Sequence, residues 1–321
     1  MPNAETLFLR EEHTHFDPLR RYLQCILFSD EAVNFAIQKG LDASRSKVKY
    51  FKHNDVQHLE QLLEQVEKEE AKNPKLAKTT RKFLIVEGIY FNTGQIVALP
   101  SIIKLKKKFK LRLFMDESVS LGVLGKTGKG VCELFQIDVS EIDLIMATLE
   151  NALGSIGGFC VGTSYVVEHQ TLAGLGYCFS ASLPPMLASG AYKALELIEN
   201  NPGWIKQLGD KCHLAHQAFG SLPGLVLQGD PLSPIKHLRL LNHQKQPRNA
   251  QRQALSKLVQ LARKEGLALV NAAYLESQEN QCPSPSVRLT ICLLMEDSVI
   301  EECASILHQL CKNIFVPAKD T

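Results

Sequence analysis

The chain has 321 residues, 45% hydrophobic and 22% charged, with 36 Lys and Arg against 34 Asp and Glu. That composition belongs to a folded globular protein long enough for two lobes, and a net charge of +2 leaves no electrostatic footprint for nucleic acid. No run reaches the ~18 apolar residues of a membrane helix, and residues 1–27, with Glu11-Glu12 and Arg20-Arg21, read neither as a span nor as a signal peptide.

In chain order, residues 32–41 read as a short amphipathic helix ending at Gly40, and residues 48–51 as a strand. Asp55 is a helix N-cap for a segment through about Glu70, with Leu59, Leu62 and Leu63 on one face, and Asn73-Pro74 breaks it. The apolar run 83–88 is a strand, and Leu99-Pro100 opens a helix through about Lys108. The basic stretch 104–112 is a helix end followed by a strand start, where cations suit the helix dipole. Strands alternating with helices imply a mostly parallel sheet covered on both faces. Those ending near Glu87, Asp116 and Thr148 carry polar residues to their C-terminal ends, where open α/β sheets bind ligands.

Pro184-Pro185 starts a long helix to about Glu199, and Asn201-Pro202-Gly203 ends it. Beyond it, residues 225–227, 235–238 and 287–291 alternate like half-buried strands, with helices at about 249–265 and 297–312. This is a small α+β lobe. Nine cysteines without a Cys-x-x-Cys pair read as reduced thiols. His13 and His15 lack further ligands nearby, so no metal site is expected. Gly125-Lys126-Thr127 lacks the glycine five residues upstream that a nucleotide loop needs, because position 120 is Ser120.

Two strand-to-loop segments carry the chemistry. One runs from Leu111 through Phe114-Met115-Asp116-Glu117-Ser118-Val119-Ser120, the other from Ile142 through Thr148 into Glu150-Asn151-Ala152-Leu153-Gly154-Ser155-Ile156-Gly157-Gly158. Together they resemble the signature segments of the α-oxoamine synthase family, whose members use pyridoxal phosphate (PLP) to join an amino acid to an acyl-CoA. The resemblance implies that Asp116 pairs with the pyridine nitrogen, and that position 151 belongs to the Schiff-base lysine. Asn151 stands there instead, and an amide nitrogen is not nucleophilic enough to form that linkage. Val119 replaces a family histidine three residues after the aspartate, Asn34-Phe35 stands for an Asn-His pair, and Met295-Glu296 for a His-Thr pair.

The segments 35–41, 43–46, 51–55, 150–153, 155–160 and Gly176-Tyr177-Cys178-Phe179-Ser180-Ala181-Ser182-Leu183-Pro184-Pro185 resemble more narrowly the lysine-less long-chain-base subunits of serine palmitoyltransferases. The implied fold is a PLP-transferase (aspartate aminotransferase-like) large lobe with a mostly parallel sheet, incomplete at the N-terminus, plus a smaller C-terminal α+β lobe. The implied division is an unmatched 1–27, a partial large domain over 28–205 and a small domain over 206–321. A glycine-rich segment and a ring-stacking residue of the family fall before position 28.

By resemblance the chain has no catalytic residue of its own and binds no cofactor covalently. It supports a catalytic partner subunit that holds PLP and condenses serine with palmitoyl-CoA to 3-ketosphinganine, the first step of sphingolipid synthesis. Asp116 is then vestigial, while Ser180 and Ser182 reach the partner's cofactor phosphate across the dimer interface. Capping of the following helix by Ser182 is an equal reading of the residues. Arg288 falls where a family arginine holds the substrate carboxylate, and a structural salt bridge explains it as well. The expected location is the cytosolic face of the endoplasmic reticulum membrane through the complex, with no membrane helix of its own. Two alternatives stand: a PLP enzyme using Lys126 or Lys129, and a chain that binds the partner without aiding catalysis.

Overall fold

The computed structural model describes residues 25–315, so His13, His15 and the expectations placed on residues 1–24 lie outside the described part. The described residues form two compact units. Unit 1 holds the residues through Tyr90 together with Val97–Asn201; unit 2 holds Phe91–Ile96 and the residues from Pro202 onward.

Unit 1 is built on six strands: β1 (Cys25–Asp30), β2 (Lys47–Phe51), β3 (Arg81–Glu87), β4 (Arg112–Asp116), β5 (Leu144–Thr148) and β6 (Gly158–Gly162). Their order is β2-β1-β3-β4-β5-β6, parallel except for the antiparallel β5–β6 pair. The strand β1 escapes a reading by alternation because its residues 26–30 are buried on both faces and show no period of two. Helix α1 (Phe35–Ala43) runs past Gly40, which is buried inside it; Asn34 caps its start by accepting from Ile37 N.

Helix α2 (Val56–Ala71) begins as expected, with the Asp55 carboxylate accepting from His58 N at 2.9 Å. Its buried Leu59, Leu63 and Val66 follow helical spacing, each worth about 1.5–3 kcal/mol against exposure. Asn73 caps the single turn α3 (Pro74–Ala77). Helix α4 (Leu99–Phe109) buries Leu99, Ile102, Ile103, Leu105 and Phe109 and stops at Lys110, which adopts the left-handed conformation. The basic run on it is paired: Lys106 with Asp143 at 2.8 Å, Lys107 with Glu141 at 2.6 Å and Lys108 with Glu60 at 2.6 Å. The short α5 (Val131–Leu134) precedes β5; α6 (Ser164–Ala173), α7 (Leu175–Phe179) and α8 (Pro185–Asn200) complete the unit.

Unit 2 contains α9 (Gly203–Phe219), α10 (Arg248–Lys264) and α11 (Asp297–Phe315), with an antiparallel sheet in the order β7 (Leu225–Gln228), β8 (Ile235–Leu240), β10 (Val287–Thr290), β9 (Val270–Asn271). Leu238, Leu240, Val287 and Leu289 face a core shared with Cys212 and Phe219 of α9, Leu255 and Leu258 of α10, and Leu307 of α11. The register sets Arg288 opposite His237, so the other sheet face carries His237, Arg239 and Arg288. Phe91 and Asn92 lie against that face: the Phe91 carbonyl is 3.0 Å from His237 Nε2, and Arg239 donates to the Asn92 carbonyl at 3.3 Å. Gly94, at φ +70°, has no room for a side chain because a Cβ would run into the Ile235 carbonyl. The nine cysteines form no disulfide. Among the described residues no helix is long and apolar enough to cross a membrane, and no cluster of metal-ligating side chains occurs.

Candidate functional site

The C-terminal edge of the unit 1 sheet gathers four buried acids. Asp30 ends β1, Glu87 ends β3, Asp116 ends β4 and Glu117 follows it. Parallel strands point these ends the same way, which is how Asn34 reaches Asp116, 82 positions on in sequence. Asp116 is held on both carboxylate oxygens. Asn34 Nδ2 donates to Oδ2 at 3.0 Å and Ser118 N donates to Oδ1 at 2.8 Å. Burial raises its pKa, against the lowering effect of those donors. Asn34 also donates its backbone N–H to Glu87 Oε1 at 2.6 Å. One asparagine thus ties the ends of β3 and β4 to the start of α1.

Ser118 is the hinge between the two signature loops. Its hydroxyl accepts from Thr148 N at 3.0 Å, and its carbonyl accepts from Asn151 Nδ2 at 2.7 Å. Where the resemblance calls for a lysine amine, the chain therefore has an amide clamping one loop to the other. Val119 is buried. Lys126 and Lys129 stand exposed on the loop after β4. Below the loop, Glu117 accepts from the Ser120 hydroxyl and from Val131 N; burial pushes its pKa up to about 7, with a further rise from Asp116. Burial likewise pushes the Cys160 thiol up to about 11, which leaves it inert near neutral pH.

Asp30 makes a second polar knot. It accepts from Ala32 N at 2.8 Å and Asn54 N at 2.8 Å, and its Oδ1 lies 2.9 Å from His53 Nδ1. The His53 ring meets Tyr90 edge-on at 4.6 Å, and Tyr90 is fully buried. Burial, then the charges of Asp30 and Glu87, raise the Tyr90 pKa well above its ordinary value. Reading the sequence missed Asp30, Tyr90 and Glu117. The strand-end rule would have found Asp30 had β1 been recognised.

Ser180 and Ser182 are exposed, and neither makes a hydrogen bond among the described residues. Helix α8 begins at Pro185 with Pro184 as its cap residue and no side-chain cap bond, so Ser182 does not cap it. Arg288 belongs to unit 2, where its guanidinium stacks 4.6 Å from the Phe91 ring centroid and forms no ion pair among the described residues. The salt-bridge alternative for it is therefore replaced by a cation–π contact. His237 beside it is neutral, because burial pushes it down to about 4. A carbonyl only accepts, so Nε2 carries the ring proton toward Phe91, and Nδ1 takes the Ser286 hydroxyl proton at 2.9 Å.

A PLP held through a Schiff base does not fit these residues. The position that the resemblance gives to the lysine holds an amide that donates to the Ser118 carbonyl.

The fold and the loop pair define the class: the chain belongs to the aminotransferase class I and II family, whose model matches residues 25–307. Among curated relatives, serine palmitoyltransferase 1 of Dictyostelium discoideum is 40% identical over 290 residues, covering 88% of this chain and 60% of that one. Long chain base biosynthesis protein 1c of Oryza sativa subsp. japonica is 44% identical over 215 residues, covering 67% and 44%. The chain thus spans about half the length of these relatives. Serine palmitoyltransferase from S. paucimobilis, solved with a bound PLP–myriocin aldimine, superposes with a TM-score of 0.77 over 92% of this chain and 68% of that one, at 22% identity. That likeness establishes the shared fold.

Proposed function

We propose that this chain is a supporting, lysine-less subunit of a serine palmitoyltransferase, acting in the condensation of serine with palmitoyl-CoA that opens sphingolipid synthesis. A catalytic partner subunit supplies the lysine and holds PLP, which provides the electron sink for the carbon–carbon bond-forming step. The observation that carries this reading is the Asn151–Ser118 clamp. It replaces the reactive amine with a structural bond and keeps the two signature loops together. The chain contributes shape and hydrogen-bond donors, and no nucleophile.

Two features support a partner. Tyr165, Leu172, Tyr177, Phe179, Met186 and Tyr192, along α6, α7 and α8, are each 65–83% exposed. An apolar surface of that extent is favourable only when covered. Ser180 and Ser182 lie within the same stretch, with hydroxyls unspent among the described residues. In this reading they donate to the phosphate of the partner's cofactor. Location at the endoplasmic reticulum follows from the partner.

Co-expression with a catalytic long-chain-base subunit tests the proposal. The expected result is co-purification and ketosphinganine synthesis that needs both chains. Co-purification with no gain over the partner alone would leave an interaction-only role. A stoichiometric, borohydride-reducible PLP adduct on Lys126, Lys129 or any other lysine of this chain would overturn the supporting role.

A further inference from the structure

We propose that unit 2 carries an anion-binding cavity built by Arg248 and Arg252, and that its ligand presents a phosphoryl group. The cavity, about 340 Å³, is lined by Arg248, Arg252, Ser256, Asn271, Tyr274 and Ser286 among others. That volume suits a phosphorylated molecule of metabolite size.

The charges around it do not balance. Arg248 Nε donates to Glu276 Oε1 at 2.6 Å, and Arg252 Nη2 donates to the same oxygen. Arg248 also places Nη2 2.9 Å from Cys282 Sγ. Glu279 lies close enough to act on Tyr274 and Cys282 but accepts from Leu275 N, so the two guanidiniums share one carboxylate, and most of their N–H groups lack an anionic acceptor among the described residues. Arg239 adds to the excess. It is half-buried, its Nε has no hydrogen-bond partner among the described residues, and burial together with the nearby Arg248 charge lowers its pKa.

The Tyr274 hydroxyl and Asn271 Oδ1, both on the lining, are buried without a well-formed hydrogen bond among the described residues. The Ser286 hydroxyl beside Tyr274 gives its proton to His237 and keeps its oxygen as an acceptor. Buried polar atoms left unpaired are rare in folded proteins and point to a partner outside the chain. Both cations also lie in the first two turns of α10, where the helix dipole disfavours positive charge and no side chain caps the end. The field of the whole region therefore favours an anion. A phosphoryl group matches the guanidinium fork, carries up to two charges and accepts several bonds at once, which a single carboxylate does not. Glu276 is the internal competitor that such a ligand displaces.

Calorimetric titration of the full chain with sodium pyrophosphate, against sodium chloride and sodium acetate at matched ionic strength, tests this. The wild-type chain is expected to bind one pyrophosphate saturably. Arg248→Gln or Arg252→Gln should each weaken it by about tenfold or more, the loss of a charged hydrogen-bond pair. Glu276→Gln should bind several-fold tighter, roughly the release of one competing carboxylate. This variant decides the matter even where an arginine variant fails to fold by circular dichroism, because a merely structural Glu276 would not improve affinity. Absence of saturable binding at millimolar pyrophosphate, equal binding of acetate, or unchanged or weaker binding by Glu276→Gln would overturn the proposal.

Discussion

Glu117 offers a direct measurement of how unit 1 treats a carboxylate at its sheet edge. Its side chain is 3% exposed, and its pKa is pushed up from 4.5 to about 7, mainly by burial. A carboxyl raised in the folded state contributes most below its unfolded pKa, and that contribution is lost as pH climbs through the folded pKa. The gap of about 2.5 pH units, at ~1.36 kcal/mol each, caps the effect near 3 kcal/mol. Between pH 5 and pH 8.5 the wild-type chain should lose about 2–3 kcal/mol through this one group. Glu117→Gln keeps an acceptor for Val131 N and cannot ionise. Its urea-unfolding stability relative to wild type should therefore climb by that amount across the same interval. Other titrating groups are common to both proteins and cancel in the difference. Parallel pH profiles for the two chains would refute the assignment of a buried, high-pKa carboxyl.

Three further outcomes follow from the geometry. Replacing both Ser180 and Ser182 by alanine in the assembled complex should lower PLP affinity at least about tenfold, since each hydrogen bond to a charged group is worth ~1.5–3 kcal/mol. Because Ser182 caps nothing, thermal stability should stay within about 0.5 kcal/mol of wild type; unchanged PLP affinity, by equilibrium dialysis, would remove the cross-subunit role. Lys236 is fully buried, its ammonium donates to the Asp230 and Pro231 carbonyls, and burial lowers its pKa to about 8. A base lowered on folding makes stability rise as pH climbs from about 8 toward 10.5, and Lys236→Met should flatten that rise by up to about 3 kcal/mol in chemical denaturation. Asn151→Lys should yield no ketosphinganine synthesis by this chain alone, because the buried Val119 offers no polar contact; turnover in a product assay would contradict this.

The sequence by itself determined the alternation of strands and helices, since apolar runs such as 83–88 and caps such as Asp55 act over a few residues. It also placed Asn151 where the resemblance expects a lysine. Local signals could not reveal β1, whose burial on both faces erases the alternating pattern, nor that Gly40 would lie inside α1. Only the tertiary structure decided what the polar residues do. It gave Asn34 to Asp116 and Glu87, gave Asn151 to the Ser118 carbonyl, and left Ser182 without a helix to cap. It also turned Arg288 onto the Phe91 ring. The bonds of Asn34 to Asp116 and Glu87, of Asn151 to Ser118 and the contact of Arg288 with Phe91 join residues distant in the chain, and their strength depends on burial and on geometry. Those quantities exist only once the parallel strands have carried their ends to one edge and the small sheet has fixed its register.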